Sequence, residues 1–204
     1  MHISWLGQTC VKLQTKNLDE DVVILIDAYK PKRGEFPRNF GPAIAMFSSG
    51  AENAATVSQN AFTVDTLGEF EIKDCMLYSM PGGADNFVFK IGAEGLSVVH
   101  LGRLKKPLEN GELEKILSPD ILFVSVGGGP DYLEPKDAAA MITALEPRVI
   151  IPTGFKCDTD PDAKPLSAFI SAIGLKPESA EKKVIIKKKD LPQEETKLCV
   201  LEKE

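Results

Sequence analysis

Three residues whose side chains could perform nucleophilic chemistry stand at the ends of predicted strands. Asp27 ends the run VILID, Ser49 follows PAIAMF, and His100 ends LSVVH. A serine becomes a nucleophile beside a histidine base that an aspartate orients, so these residues could form a Ser–His–Asp site if their strand ends meet at one sheet edge. No G-x-S-x-G surrounds the serine. Loop hydrogen bonding by Ser48 and Ser49, and a structural role for a hydrogen-bonded His100, are the simpler interpretations.

Metal ligands are scarce in the sequence. The chain has two histidines, which are too few for a dinuclear zinc site of the usual composition. Its four cysteines lie far apart and form no C-x-x-C, which argues against a structural zinc site or a disulfide framework. Glu52 and Asn53 could hold one hard cation together with Asp27 or Asp85, although a solvated helix start is the simpler reading of that segment. We predict no metal site and no cofactor.

Composition excludes several classes of partner. The formal net charge of −6 argues against nucleic-acid and anionic-membrane binding, because both need excess lysine and arginine. No apolar run reaches the roughly 18 residues of a membrane span, and MHISWLGQTC lacks the basic start and long apolar stretch of a signal peptide. Dispersed cysteines fit a reducing compartment. We therefore expect a cytoplasmic protein with no nucleic-acid or membrane partner.

The elements that must position these residues follow a two-part pattern. Short alternating or apolar runs predict strands through the first half, including a hairpin at 86–102, and strand–helix alternation marks the second half. Helices are predicted within 108–120, 135–145 and 165–175, and a final hairpin-like pair at 184–202. Glycine-rich VGGGPDYLEP, between a predicted strand and helix, matches neither common nucleotide-binding motif. The pattern favours one α/β domain over residues 1–204, a four-layered αββα sandwich of two sheets with helices outside.

Six segments then resemble, in order and spacing, one family: the short metallo-β-lactamase-fold hydrolases, particularly the branch that includes ascorbate-6-phosphate lactonase-like proteins. The segments are ISWLGQTCVKL, VILIDAY, PAIAMFSSGAENAA, VVHLGRL, PDILFVSVGGG and PKDAAAMITALEPRVIIPTGFK. The resemblance covers nearly the whole chain and implies the αββα fold. It also implies two metal ions held by histidines and aspartates at strand ends, where they activate water against an ester, lactone, amide or phosphodiester.

The family's ligand positions carry other residues in this sequence. Its T-H-x-H-x-D-H cluster matches residues 48–54, SSGAENA, and its H-x-G-D matches residues 100–103, HLGR. Arg103 thus replaces the bridging aspartate. The family's last histidine falls at Gly154, and its N-terminal glycine-histidine reads Gly7-Gln8. Asp27 matches the acid that orients the metal-site loop, and by resemblance we predict the same loop-organising role here.

The resulting hypothesis is a non-catalytic binding or scaffold protein with a residual cleft for a small anionic ligand. The positive charge of Arg103 is incompatible with two neighbouring dications, but the forked N–H donors of its guanidinium suit an anion. We predict that Ser48, Ser49, His100, Arg103 and Thr153 line the cleft.

Other hypotheses stay open. The chain could be an active hydrolase of esters, lactones or phosphoesters that uses a non-standard single metal or a serine–histidine site. It could instead associate with a metal-bearing paralogue or with a second copy of itself. A third alternative is that side chains such as Phe47, Met80 and Phe155 fill the former cleft, which would leave the fold as a platform.

Overall fold

A computed structural model of the chain describes residues 1–17, 20–34, 36, 41–52, 54–57, 60–178 and 180–204. Within these ranges the strands are β1 His2–Trp5, β2 Val11–Asn17, β3 Glu20–Ile26, β4 Ile44–Met46, β5 Phe62–Val64, β6 Gly68–Ile72, β7 Cys75–Pro81, β8 Phe87–Ala93, β9 Leu96–His100, β10 Ile121–Ser125, β11 Val149–Thr153, β12 Lys183–Ile185 and β13 Lys197–Leu198. The α-helices are α1 Asn110–Leu113, α2 Pro135–Leu145 and α3 Leu166–Ile173.

The strands form two mixed sheets. The first sheet has the order β12-β1-β2-β3-β4-β5, and the second has the order β13-β11-β10-β9-β8-β7-β6. Parallel pairing joins β3 to β4 and β4 to β5 in the first sheet, and β9, β10, β11 and β13 in the second. The ends of these parallel strands therefore lie together at one edge of each sheet, which gathers the loops that follow them.

Alternating apolar side chains from both sheets form one continuous core. Its fully buried members include Trp5 and Ile26 from the first sheet and Phe89 and Phe123 from the second. Such face-to-face packing of two sheets buries one side of every strand, which explains the period-2 patterns of the sequence.

The two outer faces are covered differently. Helix α2 is the crossover between parallel strands β10 and β11, and it buries Ala138, Met141 and Leu145 in the main core. Outside the first sheet, loop residues such as Tyr29 and Phe47 pack against strand side chains. The predicted α/β class with two packed sheets is confirmed. In the described ranges, the layer outside the first sheet consists of loops rather than helices.

The 86–102 hairpin is confirmed as β8 and β9. Glu94 and Gly95 in its turn have φ angles of 52° and 71°. Two successive positive φ angles are typical of the type I′ turn, whose twist matches that of paired strands. The register places His100 beside Phe89 of β8 and Phe123 of β10, so the histidine belongs to the middle of the second sheet.

The helix predicted within 108–120 is present as the short α1 and a following 3₁₀ turn, Glu114–Ile116. One expectation from the sequence was wrong. The predicted C-terminal hairpin does not form, since β12 pairs with β1 and β13 with β11 in the other sheet. A period-2 pattern identifies a strand but carries no information on its partner.

Candidate functional site

Loops at the ends of the strands enclose a cleft of about 660 Å³. Its walls come from the segments after β1, β3, β4, β9, β10 and β11. Of the five residues predicted to line it, Ser48, Ser49 and Arg103 do so. His100 and Thr153 are not among the residues that line the cleft in the described part of the chain. The cleft is therefore open, and the alternative in which side chains fill it is not what the structure shows.

Asp27 organises the loop that follows β4. Its own backbone is left-handed, with a φ of 54°, and its amide donates to the Met46 carbonyl at 2.8 Å. The Asp27 carboxylate accepts hydrogen bonds from the Ser48 amide at 2.7 Å and the Ser48 hydroxyl at 2.8 Å. Each is a charge-assisted bond, and together they fix the start of the loop.

Ser48 and Ser49 have different environments. Ser48 is buried, its hydroxyl is committed to Asp27, and its carbonyl accepts from the Phe87 amide at 2.7 Å. Ser49 is exposed at the cleft wall and precedes Gly50, which has a φ of 79°. The hydroxyl and amide of Ser49 have no hydrogen-bond partner within the described residues, so they can reach a ligand.

Gly102 permits the close approach of this loop to the second sheet. Its φ is 63°, and a Cβ at this position would lie 2.6 Å from the Ser48 Cβ. We expect Gly102→Ala to lower the free energy of unfolding by about 1–3 kcal/mol, because alanine is strained at this positive φ and its Cβ overlaps Ser48. Urea denaturation measures this change. Gly111→Ala is the control, because Gly111 has open space around it, and equal losses in both variants would contradict the explanation.

His100 is a satisfied structural residue. It is 1% exposed, its Nδ1 accepts from the Gly102 amide at 3.0 Å, and its Nε2 lies 2.9 Å from the Thr9 carbonyl. This pairing requires the tautomer that is protonated at Nε2, which donates to Thr9. Burial lowers the pKa of His100, and the negative charge of Asp27 opposes that shift. Both ring nitrogens are occupied, so the Ser49–His100–Asp27 arrangement is not assembled.

Arg103 projects into the cleft. Its Nη2 donates to the Gln8 Oε1 at 2.7 Å, its guanidinium lies 5.8 Å from the centre of the Tyr132 ring, and its amide donates to the Asn86 Oδ1 at 2.7 Å. The half-buried guanidinium forms no salt bridge with any carboxylate in the ranges that the structure describes. It therefore keeps donor capacity toward the cleft.

Gln8 owes its position to a tight turn between β1 and β2. Gly7 and Gln8 have φ angles of 98° and 48°, and the Gln8 carbonyl accepts from the Trp5 indole at 2.8 Å and the Gly154 amide at 2.7 Å. These two bonds hold the Gln8 backbone on the core. Its side chain then extends to Arg103.

Tyr132 fills the space beside the end of β11. A Cβ on Gly154 would lie 3.1 Å from the Tyr132 ring, and one on Gly127 would lie 2.8 Å from it. The Tyr132 hydroxyl donates to the Asp160 Oδ2 at 2.5 Å. Sequence reasoning identified neither Tyr132 nor Asp160, because only the fold brings residue 132 against two backbone positions that lack a side chain.

Charge in the cleft is divided between its walls. Lys30, Lys32 and Arg33 are exposed on the segment after β3. Asp131, Asp160 and Asp162 lie on the segments after β10 and β11. Burial raises the pKa of Asp160, with a smaller contribution from the negative charges of Asp131 and Asp162, while the Tyr132 hydroxyl and Arg103 oppose the shift.

The described residues do not fit a metal centre. No group of three or more histidine, cysteine, aspartate or glutamate side chains is placed to hold a metal ion within the described ranges. Arg103 and the Tyr132 ring occupy the region where the strand-end loops converge. Of the predicted single-cation set, Glu52 and Asp85 are exposed and absent from the cleft lining, and Asn53 falls outside the residues that the structure describes.

Two packed sheets with a cleft at the loop edge define a metallo-β-lactamase-like sandwich. The chain belongs to this superfamily, because the family model for the beta-lactamase superfamily domain matches residues 2–154. No curated protein matches its sequence. In the part that the structure describes, no helix is both long and apolar enough to cross a membrane.

Solved structures share the fold. One is a protein from Thermotoga maritima assigned to the zinc-dependent hydrolases of the metallo-β-lactamase superfamily, with 25% identity, a TM-score of 0.81 and 98% of each chain covered. Igni18, a metallo hydrolase from Ignicoccus hospitalis, has 14% identity and a TM-score of 0.64 over 85% of this chain and 90% of its own. CmlA, a diiron β-hydroxylase from Streptomyces venezuelae, has 12% identity and a TM-score of 0.56 over 78% of this chain and 45% of its own.

Proposed function

We propose that this superfamily member is a non-catalytic protein that binds a small anionic ligand in its cleft. The observation that carries the proposal is the Arg103 guanidinium, which faces the cleft with one neutral hydrogen-bond acceptor, Gln8, and no salt bridge within the described ranges. A half-buried cation without a direct ion pair keeps donor capacity and charge that an anion would satisfy.

The surroundings of Arg103 support the same proposal. Ser49 contributes a free hydroxyl and amide to the cleft wall, and three further cations lie on the segment after β3. A guanidinium near the position of a metal ion supplies positive charge, but it cannot lower the pKa of a bound water as a dication does. Affinity for an anion can therefore persist in the fold without the family's hydrolytic chemistry.

The hydrolase alternatives have less support. A serine–histidine mechanism needs an imidazole nitrogen free to accept the serine proton, and His100 uses both nitrogens in buried backbone hydrogen bonds. A single-metal mechanism needs several converging ligands, which the described side chains do not provide. Association with a metal-bearing paralogue or a second copy stays a prediction.

We expect inorganic phosphate to bind the purified protein at low ionic strength, and Arg103→Met to weaken that binding. Loss of a charge-assisted hydrogen bond of about 1.5–3 kcal/mol corresponds to roughly 10- to 100-fold in affinity. Isothermal titration calorimetry measures both proteins. Lys105→Met is the matched control, because it removes the same charge from an exposed neighbour outside the cleft lining.

Three results would contradict the proposal. Equal weakening in both variants would show a general charge effect, and failure of phosphate, sulfate and simple carboxylates to bind would remove the anion site. Stoichiometric retention of zinc, manganese or iron, measured by inductively coupled plasma mass spectrometry and accompanied by metal-dependent ester hydrolysis, would make the hydrolase hypothesis the better one.

A further inference from the structure

One tyrosine contacts two unlike charges in the cleft. Arg103 lies 5.8 Å from the centre of the Tyr132 ring, and Asp160 accepts the hydroxyl at the far end of the same side chain at 2.5 Å. Tyr132 is 3% exposed and is wedged against Gly127 and Gly154. A buried, wedged ring is rigid, so it fixes the position of the Asp160 carboxylate at its hydroxyl, while the guanidinium lies over the ring.

Neither charge forms a direct ion pair in the described part of the chain, although the positive charge of Arg103 acts on Asp160 and opposes the rise of its pKa. Arg103 and Asp160 are half-buried, both line the cleft, and neither takes part in a salt bridge within the described residues. Asp160 uses only its Oδ2 for Tyr132, and its Oδ1 has no hydrogen-bond partner in those ranges. Half-buried charges without a direct ion pair retain electrostatic attraction for a ligand, because less water screens them.

We propose that the ligand of this cleft is a small zwitterion, whose anionic group binds at Arg103 and whose ammonium group binds at Asp160. The inference rests on the proposed anion-binding function and specifies its ligand class. A molecule with both charges can satisfy both residues at once, whereas a simple anion satisfies Arg103 but stays near the repelling carboxylate of Asp160.

Other charged groups around the pair are consistent with this polarity. Asp131 and Asp162 extend the negative side of the cleft beside Asp160, and Lys30, Lys32 and Arg33 extend the positive side from the segment after β3.

Matched ligand sets test the inference. 4-Aminobutyrate is compared with butyrate and butylamine, and 6-aminohexanoate with hexanoate and hexylamine, by calorimetry at pH 8.5. At this pH the amino group is still protonated, since alkylammonium groups titrate near pH 10, and a carboxyl with a raised pKa is ionised. We expect at least one zwitterion to bind tenfold or more tightly than both singly charged analogues of its length.

Asp160→Asn then separates the two subsites. The asparagine keeps an acceptor for the Tyr132 hydroxyl but loses the negative charge, so zwitterion affinity should fall to that of the matching carboxylate while carboxylate affinity stays equal or rises. Asp85→Asn, an exposed residue outside the cleft lining, is the control. An unchanged ratio of zwitterion to carboxylate affinity in Asp160→Asn would overturn the inference.

Failure of this inference can be distinguished from failure of the proposed function. If phosphate and the carboxylates bind through Arg103 but no zwitterion binds more tightly, only the ligand class is wrong. If neither the anions nor the zwitterions bind, the anion site itself is wrong, and both proposals are overturned.

Discussion

Replacing Trp5 with alanine is expected to lower the free energy of unfolding by about 3–5 kcal/mol, the range for large aromatic residues in protein cores. Trp5 is 1% exposed, stacks at a centroid distance of 4.3 Å on Phe155, and donates from its indole nitrogen to the Gln8 carbonyl. The change therefore leaves a cavity between the sheets and removes one of the two donors to the Gln8 carbonyl, which keeps the Gly154 amide. Trp5 is the only tryptophan, so the variant has no tryptophan fluorescence to follow. Circular dichroism during urea denaturation therefore measures the loss of stability.

Trp5→Phe separates the two contributions. Phenylalanine keeps most of the ring packing but cannot donate to Gln8, so we expect a smaller loss of stability in this variant. Leu117→Ala is the surface control, since Leu117 is 48% exposed. A loss in Trp5→Ala no larger than that of the control would show that the tryptophan does not anchor the sandwich.

Asp27→Ala should also destabilise the protein strongly. The substitution removes two hydrogen bonds to a carboxylate and leaves the amide and hydroxyl of buried Ser48 without their acceptor. It also places alanine at a φ of 54°. We expect a loss of about 2–4 kcal/mol in the free energy of unfolding, measured by thermal and urea denaturation.

Asp27→Asn is the informative companion. Asparagine tolerates left-handed backbone and retains one acceptor oxygen, so it should lose less stability than alanine. In Asp27→Asn the pKa of His100 should fall further, because the opposing charge of Asp27 is gone. Proton NMR of the histidine follows that titration, with Asp85→Ala as the charge control. Equal stability of Asp27→Ala and Asp85→Ala would contradict the loop-organising role.

Membership in the superfamily does not fix the chemistry of this chain. The same sandwich is found in proteins described as hydrolases and in a diiron β-hydroxylase. Sites are built on the strand-end loops, whose residues can change while the two sheets keep their packing. Here the loop after β9 carries Arg103, which contacts Gln8 from the loop after β1. One hydrogen bond thus joins two separate loops.

Much of the fold could be predicted from the sequence. Apolar alternation located most strands, the segment 92–95 located the hairpin turn, and Pro135 located the start of α2. These signals are local, because side-chain periodicity and turn preferences act over a few residues. Partners of distant strands were not predictable in this way, which is why the pairing of β12 and β13 was wrong.

The sequence by itself determined the chemical inventory: two histidines, a serine-rich loop after β4 and an arginine after β9. Only the tertiary structure decided how these residues are used. It occupies both nitrogens of His100 with backbone groups, buries Thr153 away from the cleft, and brings Tyr132 into contact with both Arg103 and Asp160. Hydrogen bonding and burial depend on residues about 30 to 90 positions apart in the chain that meet only after folding, and no local pattern encodes those distances.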